Sequence, residues 1–489
     1  MKIIVVSTFC LFFMNLSFAQ DKINTIQQTI NHFSEHKELK NAAISFMAYD
    51  VENDTILAAY NRKMAIPPAS TVKLFTTATA LEVLGKDYQP RTKIYQRGEI
   101  DSTGTLHGDL IIRGLGDPSL GSRFFTDKDN VNEFLAEWTR SIRSAGIQKI
   151  DGQIIADGSA YGYNGAPDGW SWSDMGNYYG AGPSGCVVYD NMTRLHFSTP
   201  YQLKALTQLD SLTPPVPGYQ LDNRVISSNS SSDQAYIYGA PYSYHRFATG
   251  HLPKGRSNFE VKVSVPDPEL LLAQSLRNYL QKDSVFVEKE SIGMRSLLML
   301  DSSHINYSGL KLVIDYKGKS IEDIIYWTNH RSVNLFAEQL ACIIGYEKTG
   351  DGSTEAGVDF INDYWSPRLN MELYQTDGCG LSRSNGFSAT HFIQLLNYMY
   401  SSENFTTFEK SLPVAGKSGT LRGVCRNQSA QGRLRGKSGT MNRVKSYAGY
   451  VNARNGRKIA FALIVNNDNL SNYRLVQQME MVFNSMARY

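Results

Sequence analysis

Hydrophobic runs at the two ends of the chain read as strands, and the long stretch between them changes texture twice. AAISFMAYDVENDTILAAYN holds two apolar runs around Glu52-Asn53-Asp54, the signature of a β-hairpin. Near the other end, SYAGYVNA and RKIAFALIVNN read as two more strands, followed by a terminal helix over LVQQMEMVFNSMAR. In NRKMAIPPASTVKLFTTATALEVLG the two prolines stop any preceding element, Ser70 stands at a helix start, and apolar residues continue at helical spacing to Gly85. From about Tyr88 the pattern turns to strands with Gly-Asp turns and one helix near 129–145. Residues 199–255 are rich in Ser, Pro, Asn and Tyr with little helical period, which fits a small β module or long loops. Long helical patterns return from Ile321. Strands at both termini with helices between them predict that the ends complete one sheet and that the middle is an insertion. The expected division is 20–88 with 292–489 as one domain, 89–198 with 256–291 as an inserted α+β domain, and 199–255 as a nested module.

The first residues, MKIIVVSTFCLFFMNLSFAQ, combine one Lys, an apolar run too short to span a bilayer and the small-residue pattern Ser17-Phe18-Ala19. They read as a signal peptide over 1–19, with the mature chain starting at Gln20. No later stretch is apolar enough to span, so the expectation is an exported, periplasmic, soluble protein without an integral membrane segment after cleavage. Cys186, Cys342, Cys379 and Cys425 are too sparse for a disulfide scaffold in 489 residues and allow at most a bridge of unread connectivity. Cys342, in the helical run SVNLFAEQLACIIG, reads as a buried small apolar residue. A net charge of +3 makes no case for nucleic acid. The charge is uneven, however: residues 412–445 hold many Lys and Arg and no acidic residue. That is either a solvated basic loop or a site for a carboxylate-bearing substrate.

Three short motifs carry the chemistry. In Ser70-Thr71-Val72-Lys73 the residues three apart share a helix face, so the Lys73 amine can reach the Ser70 hydroxyl as a base beside its nucleophile. Ser332-Val333-Asn334 interrupts two apolar helical runs with the polar segment NHRSVN. Gly-Lys-Ser-Gly-Thr occurs twice, at 416–420 and 436–440. A phosphate loop would need a glycine five residues earlier, where Ser411 and Gln431 stand, so neither copy is a nucleotide site. No cofactor or metal is called for. Only the second copy leads, after a short loop, into a strand, SYAGYV, that can pair with it as a hairpin. Each motif alone could be a helix cap or chance, but in chain order S-x-x-K, S-x-N, K-S-G is the set of β-lactamases and penicillin-binding proteins.

The chain resembles the D-Ala-D-Ala carboxypeptidase/endopeptidases among the low-molecular-mass class C penicillin-binding proteins, in PPASTVKLFTTATALEVLG, GWSWSDMGNYYGAG, RSVNLFAEQL, DGCGLSRSNGFSA, LPVAGKSGTLRG and KSGTMNRVKSYAGYV. The resemblance implies a transpeptidase/β-lactamase-like α/β fold, with an antiparallel sheet sandwiched by helices and a large α+β insertion. It also implies a Ser70 acyl-enzyme acting on peptidoglycan stem peptides that end in D-Ala-D-Ala, with β-lactams as covalent inhibitors. In that family a segment like LPVAG-x-x-GTL precedes the working triplet, so Lys417 is expected to be a look-alike and Lys437-Ser438-Gly439 the triplet. By resemblance, Lys73 is the base, Ser332 relays a proton, Asn334 positions Lys73, Lys437 and Ser438 hold the terminal carboxylate, and the backbone N–H groups of Ser70 and Thr440 form the oxyanion hole. Asp174, Tyr179, Arg383, Met441 and Asn442 match positions that bind the zwitterionic end of a diaminopimelate side chain. Cys379 stands where the family commonly has Ser, and is expected to make the site sensitive to oxidants. A β-lactamase and a non-catalytic peptidoglycan-binding or β-lactam-sensing protein are the alternatives. The first is disfavoured because no E-x-x-L-N segment occurs, the second because every motif residue is present.

Overall fold

The computed structural model describes residues 25–300 and 304–489, so the signal segment expected over 1–19 lies outside the described residues. The two chain ends build one five-stranded antiparallel sheet in the order Leu434–Met441, Val444–Asn452, Lys458–Asn466, Ala43–Asp50, Thr55–Tyr60. Its strands are apolar on both faces because both are covered, and period-two alternation decides which side chain meets which layer. Met47, Tyr49, Ala460, Ala462 and Ile464 point into a core shared with the helices Lys73–Leu84, Ile321–His330, Asn334–Thr349, Thr354–Leu369 and Ala389–Ser401. Phe46, Ala48, Phe461, Leu463 and Val465 point the other way, against helical residues 25–34 and the terminal helix Asn472–Arg488. The first hairpin turns where Asp50 Oδ1 accepts from the backbone N–H groups of Glu52 and Asn53, leaving Asp54 at φ 53°.

Between the ends, Thr105–Gly114 and Arg91–Ile100 form the centre of a second sheet, with the helices Glu133–Ser144 and Pro268–Lys282 packed against it around Trp138, Ile142, Leu272 and Leu276. Lys311–Lys317, beyond residue 291, pairs antiparallel with Arg91–Ile100. Residues 192–264 form two three-stranded sheets, Arg256–Ser264/Met192–Thr199/Gln208–Thr213 and Gln234–Tyr238/His245–Pro253/Gln220–Ser228. They enclose a small core of Leu195, Phe197, Val225, Ile237, Ala248 and Val263.

All four described cysteines are buried and free of disulfides. No described helix is long and apolar enough to cross a membrane.

Candidate active site

Ser70 lies in the tight turn Ala69–Val72, which runs directly into the helix Lys73–Leu84. Two glycines let neighbouring backbone close on it. A Cβ at Gly439 would stand 2.9 Å from Ser70 N, 2.6 Å from Pro68 O and 2.3 Å from Ser446 Oγ. A Cβ at Gly380, where φ is +82°, would lie 2.1 Å from Ala69 O. Ala69 itself sits at φ 50° and Ser332 at φ 58°, strained values for residues with a side chain. At Ala69 the strain has a local cause, since the serine turn is tied down on its other side. Thr71 Oγ1 donates to Pro68 O at 2.8 Å and meets Ser446 Oγ at 3.2 Å, while Ser446 Oγ also donates to Pro68 O.

Helical spacing places Lys73 one turn beyond Ser70 with its ammonium end wholly buried. Lys73 Nζ is 2.9 Å from Ser70 Oγ, 2.7 Å from Asn334 Oδ1 and 2.6 Å from Cys379 O. Across the cleft Lys437 Nζ donates to Ser332 Oγ at 2.8 Å and to Ser438 O at 2.6 Å. Ser332 and Asn334 flank Val333 at the start of the helix Asn334–Thr349, so one short loop faces both lysines. Burial lowers the pKa of Lys73, while Cys379, Asp377 and Glu338 pull it back up. Lys437 is pushed well below the usual lysine range by burial first, then by the charges of Lys73 and Lys445. Proximity of the two lysines thus acts on Lys437, whereas for Lys73 burial is the lowering cause.

Under Lys73 lies a buried acidic cluster. Asp377 accepts from the backbone N–H groups of Gly380 and Ser382, from Asn385 Nδ2 and from Trp170 Nε1. Glu338 Oε2 accepts from Gly378 N at 3.0 Å, and burial raises the pKa of Glu338 to about 8. Burial also holds the Cys379 thiol well above its ordinary value. A buried, protonated thiol is inert, so the oxidant sensitivity expected from the sequence at Cys379 is not supported.

The second Gly-Lys-Ser-Gly-Thr copy lies in the strand Leu434–Met441 at the sheet edge, with its backbone beside the serine turn. Ser438 is 9% exposed, and its Oγ donates to Thr420 Oγ1 at 2.9 Å. Lys445 Nζ donates to Thr440 Oγ1 at 2.7 Å, and burial lowers the Lys445 pKa to about 8. The first copy lies in a turn, with Lys417 exposed. At the cleft's other end Tyr179 OH donates to Asp174 Oδ1 at 3.3 Å, and Arg383 Nη2 donates to Asn442 O at 2.9 Å. Burial raises the Asp174 pKa, and the Tyr179 hydroxyl and Arg383 oppose the rise. Met441 ends the triplet strand and Asn442 follows it in the turn. Asn334 Nδ2 donates to Tyr179 O at 2.8 Å, joining the two ends.

The profile of the D-Ala-D-Ala carboxypeptidase 3 (S13) family matches residues 26–486, nearly the whole described chain. The chain belongs to the S13 family. A D-alanyl-D-alanine carboxypeptidase of Actinomadura sp. (strain R39) is 27% identical over 461 residues, covering 91% of this chain and 81% of that protein. The penicillin-sensitive carboxypeptidase A of Dictyostelium discoideum is 25% identical over 468 residues, covering 89% of this chain and 84% of that protein. The crystal structure of penicillin binding protein 4 (dacB) from Haemophilus influenzae aligns at a TM-score of 0.78 and 20% identity, covering 94% of this chain and 99% of that one. The fold is therefore the penicillin-binding type, and the protein is a serine-type D-Ala-D-Ala carboxypeptidase.

Thr71, Glu338, Asp377, Thr420, Lys445 and Ser446 also pack against the groups of this site, and no motif in the sequence marks them. Glu338 left one signal, a carboxylate inside the apolar run LFAEQLACIIG, where an unpartnered charge would be costly. Thr420 lies inside the first Gly-Lys-Ser-Gly-Thr copy, and only the fold brings it to Ser438.

Proposed function

We propose that Ser70 is the nucleophile and that the two buried lysines divide the proton work. The observation that carries this is the triple contact of Lys73 Nζ with Ser70 Oγ, Asn334 Oδ1 and Cys379 O. Two of these partners are carbonyl oxygens and can only accept, so a neutral amine donates to both and keeps its lone pair for the Ser70 proton. Ser70 Oγ attacks the carbonyl carbon of the penultimate D-Ala, and Lys73 takes the hydroxyl proton. The backbone N–H groups of Ser70 and Thr440 stabilise the oxyanion. The C–N bond then breaks: Ser332 passes its proton to the departing amine and takes one back from Lys437, which donates to it. Water next attacks the Ser70 ester, its proton returning through Ser332 to Lys437 while Lys73 gives the proton it holds back to Ser70 Oγ, so the acid is released and both lysines are reset.

Lys437, Ser438, Gly439 and Thr440 hold the terminal carboxylate along the edge strand, and its arrival favours the charged form of a lysine whose pKa burial otherwise lowers. Asp174 and Arg383, with Tyr179, Met441 and Asn442, take the ammonium and carboxylate of a diaminopimelate side chain, a pairing suited to a zwitterion. The substrates are peptidoglycan stem peptides and their cross-links, so the enzyme is also a DD-endopeptidase, and β-lactams acylate Ser70. The N-terminal pattern supports export to the periplasm. The two chain ends form the catalytic domain, and the segment between them is an insertion that supplies Asp174 and Tyr179.

Labelling with a fluorescent penicillin, paired with an assay for released D-Ala, tests this. The wild type should do both and Ser70→Ala neither, because one nucleophile forms both acyl-enzymes. Stoichiometric labelling of Ser70→Ala would show that another residue is the nucleophile.

A further inference from the structure

Beside the Ser332–Asn334 loop, on the side facing the insertion, a cavity of about 500 Å³ opens. Three cations, Arg123, Lys262 and Arg331, line it together with one carboxylate, Asp190. Asp190 is already engaged: Arg123 Nε lies 3.5 Å from Asp190 Oδ2, and Ser122 Oγ donates to Asp190 Oδ1 at 2.5 Å. The Arg123 guanidinium is further fixed over Phe124, 4.9 Å from the ring centroid, and 5.6 Å from that of Tyr178. That leaves Lys262 and Arg331 as cavity-lining cations without an ion pair among the described residues. Burial first, then the neighbouring charges of Arg123 and Arg194, lower the Lys262 pKa, and Glu260 only partly opposes them. Tyr178, 45% exposed, and Trp327 give the same cavity apolar walls.

In the Ser70 reading the terminal D-Ala lies at the triplet, and no residue of the triplet lines this cavity. Its position is informative because it shares Ser332 and Asn334 with the catalytic cleft. Ser332 is the group that faces the departing amine, so a leaving group longer than one residue would continue past it into this space.

We propose that the cavity lined by Arg123, Lys262 and Arg331 is a leaving-group subsite that binds the carboxylates of a second, cross-linked stem peptide. This rests on the Ser70 reading above and specifies which substrate the site discriminates. The bond broken is the same C–N amide, and the amine released is that of an anionic peptide instead of free D-Ala. Unpaired cations beside an anionic leaving group would lower KM for the cross-link and leave the uncross-linked peptide unaffected.

The test uses the full enzyme, Lys262→Gln, Arg331→Gln, the double variant and Arg331→Lys. Each is assayed on an uncross-linked peptide ending in D-Ala-D-Ala and on a cross-linked peptide dimer. The double variant should lose roughly tenfold in kcat/KM on the dimer, through KM, and stay within about twofold on the monomer; Arg331→Lys should keep most dimer activity. The wild-type preference should weaken as salt is raised. Equal losses on both substrates, or no loss on the dimer, overturn the proposal. A wild type that cleaves neither substrate overturns the Ser70 reading and this inference with it.

Discussion

The same five residues, Gly-Lys-Ser-Gly-Thr, occur at 416–420 and 436–440, and the fold treats them in opposite ways. The first copy is a turn. Lys417 is exposed and lies along Gly432, Ser418 Oγ accepts from Val414 N at 3.1 Å, and Gly419, at φ +54°, passes under the carbonyl of His330. The second copy is a buried edge strand whose Lys437 reaches Ser332. The residues that follow decide the difference. After the second copy, Asn442 and Arg443 reverse the chain, Arg443 at φ 59°, and Val444–Asn452 pairs back along the strand. A pentapeptide has no fixed conformation of its own, and tertiary pairing overrides it. The first copy is still not idle. Just before it, Ala415 N donates to Leu434 O and Pro413 O accepts from Gly436 N, and within it Thr420 accepts from Ser438, so the first copy and the residues before it brace the strand of the second.

The largest contrast should come from the glycines. In Gly439→Ala the added methyl would meet Ser446 Oγ, Pro68 O and Ser70 N at 2.9 Å or less, forcing the strand off the serine turn. Penicillin acylation should slow by roughly 10² or more, since misplacement by about 1 Å costs that much. Gly419→Ala would place a methyl 2.4 Å from His330 O at a positive φ, and should lower unfolding stability by about 1–3 kcal/mol with a smaller effect on acylation. Stopped-flow acylation and denaturant titration of both proteins check this; the reverse ranking would break the contrast. Next, Thr420→Val removes the acceptor of Ser438 Oγ and should raise KM for D-Ala release about fivefold, the worth of one hydrogen bond of about 1 kcal/mol. An unchanged KM would show that the first copy does not brace the second.

The smallest effect on rate is expected at Glu338, in the acidic cluster that faces Lys73 and not Lys417. Its folded pKa of about 8 lies above its ordinary value of 4.5, so the folded state holds the extra proton. Its contribution to stability is present below about pH 4.5 and is lost as pH rises to about 8. Glu338→Gln keeps the acceptor for Gly378 N and should flatten that fall, measured by denaturant midpoints across the window. A wild-type stability that rises through the window, unchanged in the variant, would contradict this placement of the proton.

What could be read beforehand follows from how local each signal is. The hairpin at 43–60 and the helix after Ser70 announce themselves through apolar period and prolines, and the three motifs through residue type and order. The pairing of Lys311–Lys317 with Arg91–Ile100 is a contact across more than two hundred residues and leaves no local mark. The same holds for the bond from Trp170 Nε1 to Asp377, whose other partners, Gly380, Ser382 and Asn385, lie in its own loop. Thr71 and Ser446 look like ordinary helix and strand residues until the edge strand docks on the serine turn. At Cys379 the residue type points to redox chemistry, whereas its burial, which no local pattern shows, keeps the thiol protonated.

The most direct measurement is the second-order rate of acylation by a fluorescent penicillin in Lys437→Ala and Lys417→Ala, each checked for native stability. If the second copy alone faces the substrate, Lys437→Ala should be slower by roughly 10² or more, the loss expected for a transition-state contact, and Lys417→Ala should stay within about threefold of wild type. Comparable defects in two equally well-folded proteins would contradict the account, and a larger defect at Lys417 would reverse it.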